Sequence, residues 1–162
     1  MKIIKKIAPT IFVIFLLLLF LKVDYRLLNE LSCCGDDFDY YSHAYTVAVD
    51  FDFDYSNQLI QNHTETYTYK GKVAPLGFVG SGILSSPFLF IGNLFDKLFT
   101  VNEISNKILI YSFSSICYLL FGTYLLFISL KKLGKNPNFI FIFLAMFGSG
   151  LGYFSFERYS MT

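Results

Sequence analysis

The sequence predicts an all-α integral membrane protein with about three transmembrane helices and an outer loop carrying juxtamembrane or re-entrant helices. Three observations predict it. First, 54% of the 162 residues are hydrophobic and 15% charged, against roughly 25% charged in soluble proteins. Mean hydropathy is +0.52. Second, long apolar runs recur at membrane-spanning length. Third, charge is segregated: of the 12 acids, all but Glu157 lie between residues 24 and 104, and lysines flank that stretch. The formal net charge of +1 hides this pattern. A disordered, collagen-like or ordinary soluble chain is excluded. No nucleic-acid partner is expected, because no basic patch with interleaved aromatics faces water.

Residues 4–23 form the first expected span. Its apolar run, residues 7–23, follows Lys2, Lys5 and Lys6, and only Lys22 interrupts it, near the end, where a long stem can snorkel. A hydrocarbon core about 30 Å thick needs about 20 helical residues, so this run suffices. A cleaved signal peptide is the competing reading. It lacks an A-x-A-like site, and Glu30 stands where a lipoprotein motif requires an aliphatic residue.

Residues 108–130 contain no charge and make the clearest span; residues 138–156 make the third. Between them, in loop 131–137, lie Lys131, Lys132 and Lys135, which the positive-inside rule assigns to the cytoplasm together with the N-terminus. Residues 24–107 then face the other side. Within them, 75–95 is another apolar stretch, its interior broken by Gly77, Gly80, Gly82, Pro87 and Gly92 besides Ser85 and Ser86. Because Pro87 removes a helical hydrogen bond, this stretch is expected as a re-entrant or juxtamembrane helix pair. Residues 157–162 would open a second outer loop. With three crossings and no closing helix, the chain is expected to be the beginning of a larger polytopic fold.

The densest polar constellation is residues 35–57. Tyr41, Ala44, Tyr45 and Ala48 recur at helical spacing, predicting a short amphipathic helix near 37–49, preceded by Asp36 and Asp37 at capping positions. Capping needs one carboxylate, yet Asp36, Asp37 and Asp39 are present, so a catalytic or cation-binding role competes with the structural one. Residues 49–55 alternate strictly and predict an extended strand, aromatics on one face and Asp50, Asp52 and Asp54 on the other. An EF-hand reading from Asp50 fails, because Tyr55 and Gln61 replace the required Gly and Glu. His43 and His63 stand apart from any metal pair and read as surface or packing histidines. Asn62-His63-Thr64 matches a short glycosylation pattern.

Three cysteines constrain little: Cys33 and Cys34 are adjacent, Cys117 sits in an apolar run, and no disulfide framework or metal spacing exists. No G-x-S-x-G, H-E-x-x-H or Walker-type loop occurs. What survives is carboxylate chemistry at a membrane face.

Gly35-Asp36-Asp37-Phe38-Asp39-Tyr40-Tyr41, then Asp50 through Asn57, then Ala74-Pro75-Leu76-Gly77 through Ser86-Pro87-Phe88, and finally Glu157-Arg158-Tyr159-Ser160-Met161-Thr162 follow one another in order. In this the chain resembles the N-terminal part of the GT-C glycosyltransferases. That group includes the dolichyl-phosphate-mannose protein mannosyltransferases and the bacterial lipid A aminoarabinose transferases. The resemblance implies an incomplete GT-C fold in a multi-pass protein of the plasma membrane, or of the ER membrane in a eukaryote.

The resemblance further implies transfer of a sugar from a polyprenyl-phosphate donor to a lipid, glycan or protein acceptor at the extracytoplasmic face. Asp36 or Asp37 would be the base. Lys72 or Arg158 would pair with the lipid phosphate, and Glu157 would supply an acid from the second outer loop. The resemblance fixes no cofactor; a divalent cation at Asp36 and Asp37 is left open. The competing expectation is a non-catalytic membrane assembly or lipid-binding subunit with an acidic outer loop. A polyprenyl-phosphate phosphatase finds no Arg/His-rich motif to support it.

Overall fold

The computed structural model describes residues 2–28, 35–59, 66–99 and 106–156. The described chain is mostly helical. In order it runs α1 (Lys2–Leu28), α2 (Gly35–Tyr45), a π-helical turn (Thr46–Asp50), α3 (Ser56–Leu59), the strands β1 (Thr66–Tyr69) and β2 (Lys72–Pro75), α4 (Val79–Leu98), α5 (Asn106–Lys132), α6 (Phe139–Phe147) and α7 (Gly150–Phe156).

Helix α5 is the axis of the fold, with α1, α4, α6 and α7 packed on it and α2 packed on α4. It is the one described helix both long and apolar enough to cross a membrane; α1 contributes a shorter apolar stretch, Ile7–Leu21. Two apolar clusters hold the elements together. One joins Leu18 of α1 to Ile116, Leu120 and Phe127 of α5 and to Phe139 and Phe143 of α6. The other joins Ala44 of α2 and Ala48 of the π turn to Leu89 of α4 and Tyr111 of α5. The outward faces remain apolar too: Phe12, Phe20 and Phe141 are each at least 60% exposed. Such a surface suits an apolar medium better than water.

The lysine loop ends one helix and starts the next by chemistry visible in its residues. Gly134 takes a left-handed φ of 74°, while Gly134 N–H donates to Lys131 C=O and Lys135 N–H to Leu130 C=O, each at 3.1 Å. This is a Schellman stop, which glycine adopts without a Cβ penalty. Asn138 then caps α6, its Oδ1 accepting from Ile140 N–H at 2.9 Å.

Three local expectations are corrected. Residues 75–95 are not a helix pair: α4 runs unbroken through Pro87. Proline deprives the carbonyl four residues earlier of its donor, and Ser86 Oγ donates to that carbonyl, on Ile83, at 2.7 Å. The neighbouring Leu84 carbonyl accepts from Tyr118 of α5, also at 2.7 Å. The run 138–156 is not one helix but two, interrupted at Gly148 and Ser149. The chain folds back so closely there that a Cβ on Gly152 would lie 1.7 Å from Phe147 O. Finally, residues 49–55 form no strand. The π turn is followed by Phe51 with a left-handed φ of 60°, and local hydrogen bonds to the aspartates replace a sheet partner.

Candidate functional site

The amphipathic pattern of residues 38–49 folds as α2 and its π turn, with Ser42 and Thr46 fully buried and Asp39 and His43 4% and 5% exposed. Buried side chains of this kind require hydrogen-bond partners. Asp39 and His43, one helical turn apart, find theirs on a single residue of the segment that leads into α4. Asp39 Oδ2 accepts the backbone N–H of Gly77 at 2.9 Å, and His43 Nε2 lies 2.9 Å from Gly77 C=O.

A carbonyl only accepts, so the His43 proton resides on Nε2 and donates to Gly77. Nδ1 of the neutral ring is then an acceptor. It faces Tyr55 Oη at 2.9 Å, so the phenol donates to it. Tyr55 is itself 7% exposed, and its ring meets the imidazole edge-on, with centroids 5.2 Å apart. Burial, and then the charge of Asp52, push the Tyr55 phenol above its ordinary pKa, which keeps the donating form. Burial, followed by Asp50, raises Tyr45 in the same way.

Two glycines permit the approach. At Gly77 a Cβ would lie 2.7 Å from Asp39 Cβ, and at Gly82 it would lie 2.3 Å from His43 Cβ and 2.8 Å from Tyr40 O. Helix α2 therefore rests on bare backbone at the start of α4. Phe78, the cap residue of α4, offers no side-chain acceptor. The Asp39 carboxylate stands beside that helix end, where the macrodipole favours negative charge.

The acids that follow are consumed locally. Asp50 Oδ2 accepts from Asn57 Nδ2 at 2.9 Å and from Gln58 Nε2. Asp52 Oδ1 accepts from Thr46 Oγ1 at 2.9 Å and from Asp54 N–H at 3.0 Å. Asp54 Oδ1 caps α3 by accepting Ser56 N–H at 3.1 Å. Hydrogen bonds from the Ser56 side chain and backbone hold the Asp54 carboxyl below the usual range, with a further pull from the Lys72 charge.

The residues predicted for function are distributed as follows. Asp36 and Asp37 fall inside the first turn of α2, which begins at Gly35, and not before the helix; their side chains lie outside the described set. Lys72 opens β2 and is exposed, with its charge felt at Asp54. Glu157 and Arg158 lie outside the described residues, as do Asn62 and His63. Among the described residues, no three His, Cys, Asp or Glu groups converge to hold a metal ion.

Sequence reading missed the joint role of Asp39, His43, Tyr55 and Gly77. Asp39 and His43 stand i, i+4 on α2, which is a signal that they share a face. Neither that spacing nor the Pro75-x-Gly77 segment names the partner.

A groove of about 500 Å³ opens between α1 and α5, lined by Ile7, Ile11, Phe15, Cys117, Leu120 and Tyr124. Its lining chemistry suits a hydrocarbon chain. No family model, curated protein or solved structure matches the chain.

Proposed function

We propose that the chain is part of a multi-pass membrane glycosyltransferase, with its N-terminus cytoplasmic, which moves a sugar from a polyprenyl-phosphate donor to an acceptor at the extracytoplasmic face. The observation that carries this reading is the clasp on Gly77. It joins the acidic helix and the Pro75-x-Gly77 segment, the two central parts of the resemblance, into one unit. The apolar groove between α1 and α5 supports it through the chemistry of a lipid-anchored donor.

In this reaction Asp36 or Asp37 takes the proton of an acceptor hydroxyl. The acceptor oxygen attacks the anomeric carbon, and the bond from that carbon to the phosphate oxygen breaks. Polyprenyl phosphate leaves with the electron pair, and one displacement inverts the sugar carbon. The leaving phosphate needs no protonation, so one base suffices. Lys72 or Arg158 is the cation assigned to the phosphate and Glu157 the second-loop acid; the Lys72 charge also acts on Asp54. A divalent cation, if used, would have to engage Asp36 and Asp37.

The test is transfer from a polyprenyl-phosphate sugar by the complete protein in membranes, with Asp36→Asn and Asp37→Asn compared at equal insertion. At least one substitution is expected to abolish transfer. Normal transfer by both would remove the base assignment, and absence of transfer by the parent protein would remove the function.

A further inference from the structure

Asp39 and His43 hold both backbone groups of Gly77, and from this the geometry points to a positioning pair: they fix the acid-bearing first turn of α2 against the start of α4. The inference rests on the function proposed above and assigns two further residues to the same site.

A single hydrogen bond between α2 and the Gly77 segment would leave rotation about the contact open. Two bonds, from side chains one turn apart to the N–H and C=O of one residue, remove it. The bare glycines at 77 and 82 bring the helix to backbone distance, so it cannot slide without steric collision. Tyr55 Oη occupies the remaining ring nitrogen of His43 and holds the imidazole plane so that Nε2 faces Gly77.

Asp36 and Asp37 begin the same short helix, three and two residues before Asp39. Any tilt of α2 on α4 therefore displaces whichever of them accepts the proton. Reaction geometry is steep in this respect: a misplacement of about 1 Å costs on the order of 10²-fold in rate. Asp39 and His43 touch neither donor nor acceptor in this scheme; they act through the helix that carries the acid.

The test uses the complete protein in membranes and two readouts. The first is steady-state transfer by Asp39→Ala and Asp39→Asn, and by His43→Phe and His43→Gln. Asn retains an oxygen for Gly77 N–H, and Gln retains an N–H for Gly77 C=O. We expect kcat to fall on the order of 10²-fold in Asp39→Ala and His43→Phe. The KM for the donor should stay unchanged, and Asn and Gln should restore most of kcat. The second readout is independent of activity: the distance distribution between spin labels at positions 37 and 78, with Cys33, Cys34 and Cys117 replaced by Ser. It should be narrow in the parent and broaden in Asp39→Ala, with the Asn variant returning it.

A fall in the amount of folded protein at unchanged kcat, or equal loss in the conservative and truncated variants, would make the pair merely structural and overturn the inference. So would label distances that Asp39→Ala leaves narrow. If the parent shows no transfer, the proposed function fails. The labels alone then decide whether the clasp fixes α2, and broadening in Asp39→Ala with recovery in Asp39→Asn sustains that part.

Discussion

His43 Nδ1 and Tyr55 Oη lie 2.9 Å apart, 12 residues apart in sequence, inside a buried polar joint. Through it the entry to α3 is tied to α2, which is itself tied to Gly77. One imidazole thus serves three segments.

Replacing Tyr55 with Phe leaves His43 Nδ1 buried with its donor removed, and should destabilise the chain by about 1–3 kcal/mol, the cost of a stranded polar group. Denaturant unfolding of the purified chain measures it. The same variant tests an alkaline effect. A phenol whose pKa is raised on folding contributes stability that is complete below its unfolded pKa and is lost as pH rises through the folded one. Stability of the parent should therefore fall through the alkaline range, and Tyr55→Phe should make that fall shallower, leaving the Tyr45 share. Parallel profiles for the two chains would contradict the donor role of Tyr55.

Gly82 and Gly122 make a paired prediction. A methyl at Gly82 collides with His43 Cβ and the Tyr40 backbone, whereas at Gly122 nothing lies within 4 Å. Gly82→Ala should cost about 1–3 kcal/mol through overpacking. Gly122→Ala, in the interior of α5, should add about 0.5–1 kcal/mol by reducing backbone freedom. Thermal unfolding of both variants gives the comparison, and equal shifts would mean that α2 does not rest on Gly82.

The repair at Pro87 predicts non-additivity. Ser86→Ala should cost about 0.5–1.5 kcal/mol, because the Ile83 carbonyl loses its donor. In a Pro87→Ala background the restored N–H at position 87 can serve that carbonyl, so the same substitution should cost almost nothing. A double-mutant cycle by denaturant unfolding reads the coupling. Equal costs in both backgrounds would show that Ser86 does not compensate for the proline.

Asp54 should titrate below an ordinary carboxylate in a carboxyl-carbon NMR titration, with Ser56→Ala bringing its midpoint upward. A carboxyl lowered on folding contributes stability present above its unfolded pKa and lost as pH falls through the folded one, so the α3 cap should weaken on the acid side. An unchanged midpoint in Ser56→Ala would remove Ser56 as the cause.

Much of the fold was legible in local chemistry. The helical spacing of Tyr41, Ala44, Tyr45 and Ala48 marks α2, and the change from the uncharged run to Lys131 and Lys132 marks the end of α5. These signals act within one or two turns of chain. The alternation of residues 49–55 misled, because a strand needs a partner. The Thr46 hydroxyl and the backbone N–H groups of Asp54 and Ser56 bind the aspartates first.

The sequence by itself determined a mostly helical, strongly apolar chain with one uncharged run, 108–130, long enough to form α5 and an acid-rich segment between lysine-rich flanks, because composition and short-range periodicity control which faces can be buried. The tertiary structure alone decided that α4 passes through Pro87 and that Asp39 and His43 close on Gly77. Both depend on a donor or acceptor supplied across the fold or by a neighbouring rotamer: Tyr118 for Leu84 and Ser86 for Ile83 at the proline, and a residue 38 positions beyond Asp39 at the clasp. Hydrogen-bond satisfaction between distant segments is a property of packing, and residue spacing along the chain carries no record of it.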